Sequence, residues 1–231
     1  MKSRSVSIII PAFDEEKNIQ SAIISADKAI RGICSKYEII VINDGSMDRT
    51  GQKAELETTS NKSVRVINLA HHQGYGEALK KGIQEAKMEY LTVFPGDNDM
   101  DFNSLSDLLK AMGSEDLVIS YLGKSDTRRL WRRIASLIYI ALLSTLFKLK
   151  LEYYNGSFIC RTKLLKKLRL ISTGFTICAE LKIRLIKKGF SYKEIPFVHI
   201  GRLYGKSKAL TVRSIVNALI VTFIMWKDIK S

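Results

Sequence analysis

Continuous apolar, β-branched runs that alternate with helical stripes constrain this 231-residue chain more than any other feature. Ser5–Ile10, Glu38–Ile42, Val64–Leu69 and Tyr90–Phe94 are runs of that kind, and each reads as a buried strand. Between them, Glu16–Ile30 sets Ile19, Ala22, Ile23, Ala26 and Ile30 on one helical face. A helix from about Asp48 to Glu57, starting near Ser46 or Asp48, follows the second run. Gly76–Lys87 sets Ala78, Leu79, Gly82, Ile83 and Ala86 on one face, and Ser104–Ala111 is a further helix before a short strand at Leu117–Ser120. Strands that are apolar throughout and separated by single helices predict an α/β, Rossmann-like fold: a mostly parallel central sheet flanked by helices.

In such sheets ligands bind beyond the carboxyl ends of the strands. The unusual polar segments all fall there: Pro11–Glu15, Asn43–Asp48, His71–Gly76 and Asp97–Asp101. Asp97, Asp99 and Asp101 are three carboxylates two residues apart at the end of the fourth strand. Like charges that close raise each other's energy unless a cation sits among them. An oxygen-rich site of this kind suits Mg²⁺ or Mn²⁺ held together with substrate phosphates. Asp and Asn are also ordinary turn residues, so the segment alone is equally a solvated turn; the other three loops weigh against that reading.

The second half is less regular. It predicts a long helix at about Leu130–Phe147, a strand near Ser157–Cys160 and a helix at Leu164–Leu168. A helix from Cys178 to Lys188 ends at Gly189, Tyr192–Ile195 is a strand, and a last helix follows Lys208. Residues 1–100 carry a net charge of −1 and residues 101–231 a net charge of +15. That asymmetry turns the second half toward something anionic: nucleic acid, anionic lipid or a phosphorylated substrate. No nucleic-acid recognition motif or aromatic–basic interleaving is present, so nucleic acid is not an expected partner. Cys34, Cys160 and Cys178 are too few and too scattered for a disulfide framework or a zinc site, which fits a reducing compartment. Met1-Lys-Ser-Arg-Ser leads directly into the first strand, so no signal peptide is expected.

Ile134–Phe147 and Ile215–Trp226 are 14 and 12 residues without a charge. A spanning helix needs about 20 apolar residues, so neither is a good span. Arg128, Arg129, Arg132 and Arg133 precede the first, and Lys148 and Lys150 follow it. Basic flanks on a short apolar helix fit a helix lying in the headgroup plane of an anionic membrane, and equally a buried core helix.

The segments Ile8-Ile-Ile-Pro-Ala-Phe-Asp-Glu15, Val41-Ile-Asn-Asp-Gly-Ser-Met-Asp-Arg-Thr50, Gly74-Tyr-Gly-Glu-Ala78 and Asp97–Asp101 together resemble family 2 glycosyltransferases with the GT-A fold. The pattern is nearest the polyprenyl-phosphate glycosyltransferases, such as dolichol-phosphate mannose synthase. It continues through Asn155-Gly156, Glu180 and Arg202-Leu-Tyr-Gly-Lys-Ser-Lys208. The resemblance implies a metal-dependent, inverting enzyme that moves a sugar from a GDP- or UDP-sugar to a polyprenyl phosphate. The alternative acceptor is a glycan hydroxyl in cell-surface polysaccharide synthesis. It implies a GT-A domain over 1–210, with a nucleotide-binding half at 1–120 and an acceptor half at 121–210, and a C-terminal amphipathic helix at 211–231. It implies a cytoplasmic location, peripheral at the membrane through lipid or through a partner membrane protein.

Residue by residue, Pro11 and Phe13 would wall a nucleobase, Glu15 would accept hydrogen bonds from base or ribose, and Asp44 would meet base N–H groups. Gly45, Gly74 and Gly76 would let backbone pass close to the nucleotide, and His72 would touch either the donor or only solvent. Asp48 is either a ligand contact or a helix N-cap. Asp97, Asp99 and Asp101 would hold Mg²⁺ or Mn²⁺ against the diphosphate, with Asp99 and Arg202 catalytic. Ser207 and Lys208 would close over the diphosphate. Arg128, Arg132 and Arg133 would dock an acceptor phosphate; Glu180 would be the base if the acceptor were a hydroxyl. The chain departs from the family pattern at Asn43, Asn98, His71-His72 and Asp101.

Overall fold

The computed structural model describes residues 4–123, 126, 128–202, 204–205 and 211–230. The elements are β1 (Ser5–Ala12), α1 (Ile19–Ile30), β2 (Lys36–Asn43), α2 (Thr50–Ser60), β3 (Val64–Asn68), α3 (Tyr75–Glu85) and β4 (Tyr90–Val93). They continue with α4 (Phe102–Lys110), β5 (Leu117–Leu122), α5 (Leu130–Phe147), β6 (Phe158–Arg161), α6 (Thr162–Lys166), α7 (Ile177–Lys187), β7 (Tyr192–Phe197) and α8 (Val212–Lys230).

The strands form one seven-stranded sheet in the order β3-β2-β1-β4-β6-β5-β7. β1 pairs in parallel with β2 and β4, β2 with β3, and β5 with β7. β6 alone runs antiparallel, wedged between β4 and β5 with Ile159 opposite Thr92 and Val118. Phe158, Ile159 and Cys160 are all buried, so this short strand has no wet face and needs an interior place in the sheet.

Alternate residues of β1 and β2 feed two cores. Val6, Ile8, Ile10, Ile39 and Val41 pack with α1 and α4, while Ile9, Ile40 and Ile42 pack with α3, α5 and α7. Pro11 sits inside β1, buried, opposite Ile42. The neighbouring carbonyl of Ile9 accepts from Phe94 N–H, so the absent N–H of Pro11 would face the β4 side, where β4 has already ended at Val93. Pro11 is therefore a buried strand residue near the end of β1.

Two helices start later than the sequence periodicity predicts. The Glu15 carbonyl accepts from Asn18 and Ile19 N–H, so residues 16–18 form a turn and α1 begins at Ile19. Asp48 Oδ1 accepts from Thr50 N–H at 2.9 Å and Oδ2 from Glu16 N–H at 3.2 Å, but the N-cap of α2 is Arg49, so Asp48 braces the helix start from one position before the cap.

Gly156 lies where the chain enters β6, and a Cβ there would stand 2.0 Å from the Ser120 carbonyl oxygen. Ser120 N–H in turn donates to Ser157 at 2.9 Å. Gly156→Ala is expected to cost about 1–3 kcal/mol through this overpacking, read as a lower urea midpoint; an unchanged midpoint would count against the close approach of β5 and residue 156.

Candidate active site

β4 delivers the acidic loop. A Cβ on Gly96 would lie 2.5 Å from the Pro11 carbonyl oxygen, so only glycine lets the chain cross the end of β1 there. Asn98 adopts φ +55°, and its N–H closes a turn on the Pro95 carbonyl at 3.1 Å. Beyond the turn, residues 99–101 zip onto the chain leaving β7. Ile200 N–H donates to the Asp99 carbonyl at 2.9 Å, Asp101 N–H to the Val198 carbonyl at 3.1 Å, and Met100 bridges His199. This two-way pairing carries Arg202 over the carboxylates.

Arg202 lies 3.2 Å (Nε) and 3.1 Å (Nη2) from Asp97 Oδ2, and Nη2 also pairs with Glu15. His199 Nε2 lies 3.5 Å from Asp99 Oδ2. Burial first, and the Asp99 charge second, push the Asp97 carboxyl up to about 7 against the lowering pull of Arg202. Asp97 Oδ1 is buried with no hydrogen-bond partner. A carboxylate raised by burial and a like charge, with one orphaned oxygen, is a group that a divalent cation would satisfy. Asp101 is a different case. Its side chain accepts from Asn103 N–H at 3.1 Å as the N-cap of α4. Among the described residues no group of three or more His, Cys, Asp or Glu is placed to hold a metal ion. The three-carboxylate expectation therefore contracts to Asp97 and Asp99, which fits a metal bound by two carboxylates and completed by substrate oxygens.

The base-side expectations change as well. Asp44 is buried and holds the 72–74 loop: its carboxylate accepts from Gln73 N–H (2.8 Å), Gly74 N–H (2.9 Å) and His72 Nδ1 (2.8 Å). Phe13 is stacked on His72, with ring centroids 3.8 Å apart at 17°. Gly45 has φ +63°, and a Cβ on it would meet His71 backbone at 2.3 Å, so the chain itself approaches closely there. Glu15 is buried between Asn18 Nδ2 at 2.7 Å and Arg202.

Gly74 (φ +102°) and Gly76 likewise face protein. A Cβ on either would stand 2.7 Å or less from Thr173 backbone, and Gly76 N–H donates to Thr173 O at 2.8 Å. The 171–173 segment that seats them is held by Glu180. Both of its oxygens accept from backbone N–H of Ile171 (3.0 and 3.1 Å), one from Ser172 (2.8 Å), and Arg184 Nε donates at 2.8 Å. Glu180 is fully buried. A carboxylate consumed by three donors and cut off from solvent is a strut, so its expected role as a base is corrected.

On the acceptor side, Arg128 meets both Asp126 oxygens at 2.8 Å and stands 5.6 Å over the Tyr153 ring. Its charge is therefore already partnered. Arg133 is more exposed, 3.6 Å from Asp126, and Arg132 lies against Trp131. Ser207 and Lys208 fall outside the described residues.

Lys182 was not singled out from the sequence. Fully buried, it donates to the carbonyls of Tyr154 (2.8 Å) and Gly156 (2.5 Å), bracketing Asn155, and burial lowers it to about 8. The available signal was a cation in the otherwise apolar face Cys178, Leu181, Leu185 of α7. His199 gave no such signal, because its partner lies 100 residues away.

Glu180→Gln is expected to lower stability by about 2–3 kcal/mol, because an amide NH₂ is turned toward backbone donors in a buried site. At a permissive temperature, turnover would stay within about threefold of wild type. A base would instead lose 10²-fold or more in kcat at unchanged stability. Lys182→Met is expected to leave two buried carbonyls unsatisfied at a similar cost. The unfolded chain binds this proton to higher pH than the folded one, so Lys182 makes stability rise between about pH 8 and 10.5. Urea titrations at both pH values would show that rise shrinking in the variant.

The model of the family described as "Glycosyl transferase family 2" matches residues 7–169, well over half of the chain. Dolichol-phosphate mannosyltransferase of Pyrococcus furiosus is 30% identical over 213 residues, covering 88% of this chain and 58% of its own. Dodecaprenyl-phosphate galacturonate synthase of Rhizobium johnstonii is 22% identical, covering 97% and 68%. The chain thus spans between about two fifths and two thirds of the length of the first curated relatives it matches. The crystal structure of glucosyl-3-phosphoglycerate synthase from Mycobacterium tuberculosis bound to phosphoglyceric acid superposes with a TM-score of 0.74 at 19% identity, covering 97% of this chain and 80% of its own. That likeness bears on the fold, and the GT-A architecture agrees with the sheet described above. On the family match, this chain belongs to glycosyl transferase family 2.

Proposed function

We propose that the chain is a metal-dependent, inverting glycosyltransferase that moves a sugar from a GDP- or UDP-sugar to a polyprenyl phosphate at a membrane surface. The observation that carries the reading is the Asp97–Arg202 contact: a partly orphaned carboxylate edge and a guanidinium meet where the loops of the parallel strands converge. Carboxylates suit a metal-held diphosphate, and an Arg fork suits its oxygens. Asp97 and Asp99 would hold the Mg²⁺ or Mn²⁺, which supplies, when bound, positive charge to the departing diphosphate. The relatives named for dolichyl and dodecaprenyl phosphates support the acceptor class.

In this reading an acceptor phosphate oxygen attacks the anomeric carbon from the face opposite the diphosphate. The carbon–oxygen bond to the diphosphate breaks, and the electron pair leaves on the nucleoside diphosphate. The nucleophile is already anionic, so no side chain has to remove a proton. The burial of Glu180 favours this acceptor over a glycan hydroxyl, which would need a base. Arg202 would neutralise the leaving group, and Arg132 and Arg133 would attract the acceptor phosphate.

The membrane part of the reading rests on two unpartnered stripes. On α5, Leu130, Ile134, Leu137 and Ile138 share one face and are 48–70% exposed. On α8, Val216, Leu219, Ile220, Phe223 and Ile224 do the same. Among the described residues α5 is long and apolar enough to cross a membrane by length and composition, with 11% of it buried. Its last turn is built into the core through Leu143 and Phe147, so a helix lying at the cytoplasmic surface of the bilayer fits better than a span. A partner membrane protein would cover the same stripes.

The test is sugar transfer from GDP- and UDP-sugars to polyprenyl phosphate in anionic vesicles. Asp99→Asn is expected to reduce kcat at least 100-fold without unfolding the chain, and chelation to stop wild-type turnover. Full turnover after chelation would sink the metal reading. Each basic group near an anionic surface is worth about 1 kcal/mol. Arg132→Glu with Arg133→Glu should therefore cut vesicle flotation at least tenfold, and unchanged flotation would remove α5 from the membrane contact.

A further inference from the structure

The His72 imidazole stands on Phe13 with ring centroids 3.8 Å apart and nearly parallel, and its Nδ1 points at Asp44 Oδ2 at 2.8 Å. A flat ring on Phe13 with an N–H on the Asp44 carboxylate is what a nucleobase would present at that place. We propose that His72 is a gate residue of the nucleobase subsite: its side chain fills the subsite and has to swing out before a donor base can stack on Phe13. The inference rests on the donor reading above and adds the residue that sets donor affinity.

The surroundings make this a side-chain gate on a fixed backbone. Asp44 pins the N–H groups of Gln73 and Gly74 directly after His72. The missing Cβ of Gly45 lets the His71–His72 peptide approach the chain after β2 closely, since a Cβ there would stand 2.3 Å from His71 C. The His72 side chain, by contrast, is 50% exposed and has solvent to rotate into. When it leaves, Asp44 Oδ2 loses one donor and Phe13 loses the ring stacked on it, so one rotation withdraws His72 from both contacts. The apparent affinity for a nucleotide is lowered by the fraction of chains in which the gate is open.

The experiment is calorimetric titration of the full chain with UDP and with GDP, each with Mn²⁺, for wild type, His72→Ala, His72→Asn and the double variant His72→Ala/Phe13→Ala. One aromatic stack and one hydrogen bond in a half-exposed position correspond to about tenfold tighter binding in His72→Ala. His72→Asn, which keeps a hydrogen-bonding group without the ring, should fall between. In parallel, the His72 Hε1 proton resonance, one of three histidine signals in the chain, should lose its Phe13 ring-current shift at nucleotide saturation. Weaker binding in His72→Ala would mean that the imidazole helps to hold the base and would overturn the gate. So would unchanged affinity, or a resonance that stays put while nucleotide binds. The underlying donor reading is tested separately in the ungated background. If neither UDP nor GDP binds in any variant, the donor reading falls; if nucleotide binds and Phe13→Ala costs nothing, no base stacks on Phe13 and the gate alone falls. If Phe13→Ala weakens binding while His72→Ala alone does not tighten it, only the gate is lost.

Discussion

Two carboxylates from different loops, Glu15 and Asp97, share one guanidinium at the C-terminal edge of the sheet. The rest of the site depends on that contact. Glu15 follows β1, Asp97 follows β4, and Arg202 follows β7, so three strands far apart in sequence are committed to one charge balance. A buried carboxylate left without its cation is expensive, typically 3–5 kcal/mol when one partner is removed. The antiparallel pairing of 99–101 with 198–200 is what holds Arg202 within reach. One cation does not satisfy the cluster, however: Asp97 keeps an orphaned oxygen, and the Asp99 carboxylate lies 3.5 Å from His199.

The parallel half of the sheet was legible in the sequence because its inner strands β1, β2 and β4 are largely dry on both faces: no polar residue interrupts Val6–Ile10 except Ser7, and that hydroxyl is bound to Glu38 at 2.6 Å. The convergence of four polar loops followed from the same pattern, since parallel strands put all their carboxyl ends on one edge. The position of β6 was not legible. A four-residue apolar run carries no information about direction, and its antiparallel insertion between β4 and β5 is decided by the path of the chain through α5.

Individual site residues divided along a physical line. Asp97, Asp99 and Arg202 stand together, as charges expected at one edge should. Glu180, Gly45, Gly74 and Gly76 carry the family pattern yet pack against protein backbone, whereas Asp44 divides its carboxylate between backbone N–H groups and the His72 side chain. Sequence shows that a carboxylate or a missing side chain is required at a position, but not whether backbone N–H or a ligand atom requires it. For Glu180 the donors are the N–H groups of residues 171 and 172, eight and nine positions upstream, in a segment with no periodicity to place it.

The same accounting ranks the ties between the site and α8. Arg184 joins Glu180 at 2.8 Å on one side and Asp228 of α8 at 2.6 Å on the other. Glu180 is fully buried whereas Asp228 is 45% exposed, and an exposed pair is worth about 0–1 kcal/mol. The salt bridge therefore holds the 171–173 segment firmly and α8 weakly. What seats α8 is apolar burial of Val221 and Met225 on its inner face, at roughly 1.5–3 kcal/mol for each fully buried side chain. Its outer face presents a stripe of comparable hydrophobicity to the surroundings. The Glu180 strut and the α3 N-terminus it supports therefore owe little to α8, whose own seat is the packing of Met225, Trp226 and Ile229 on the second core.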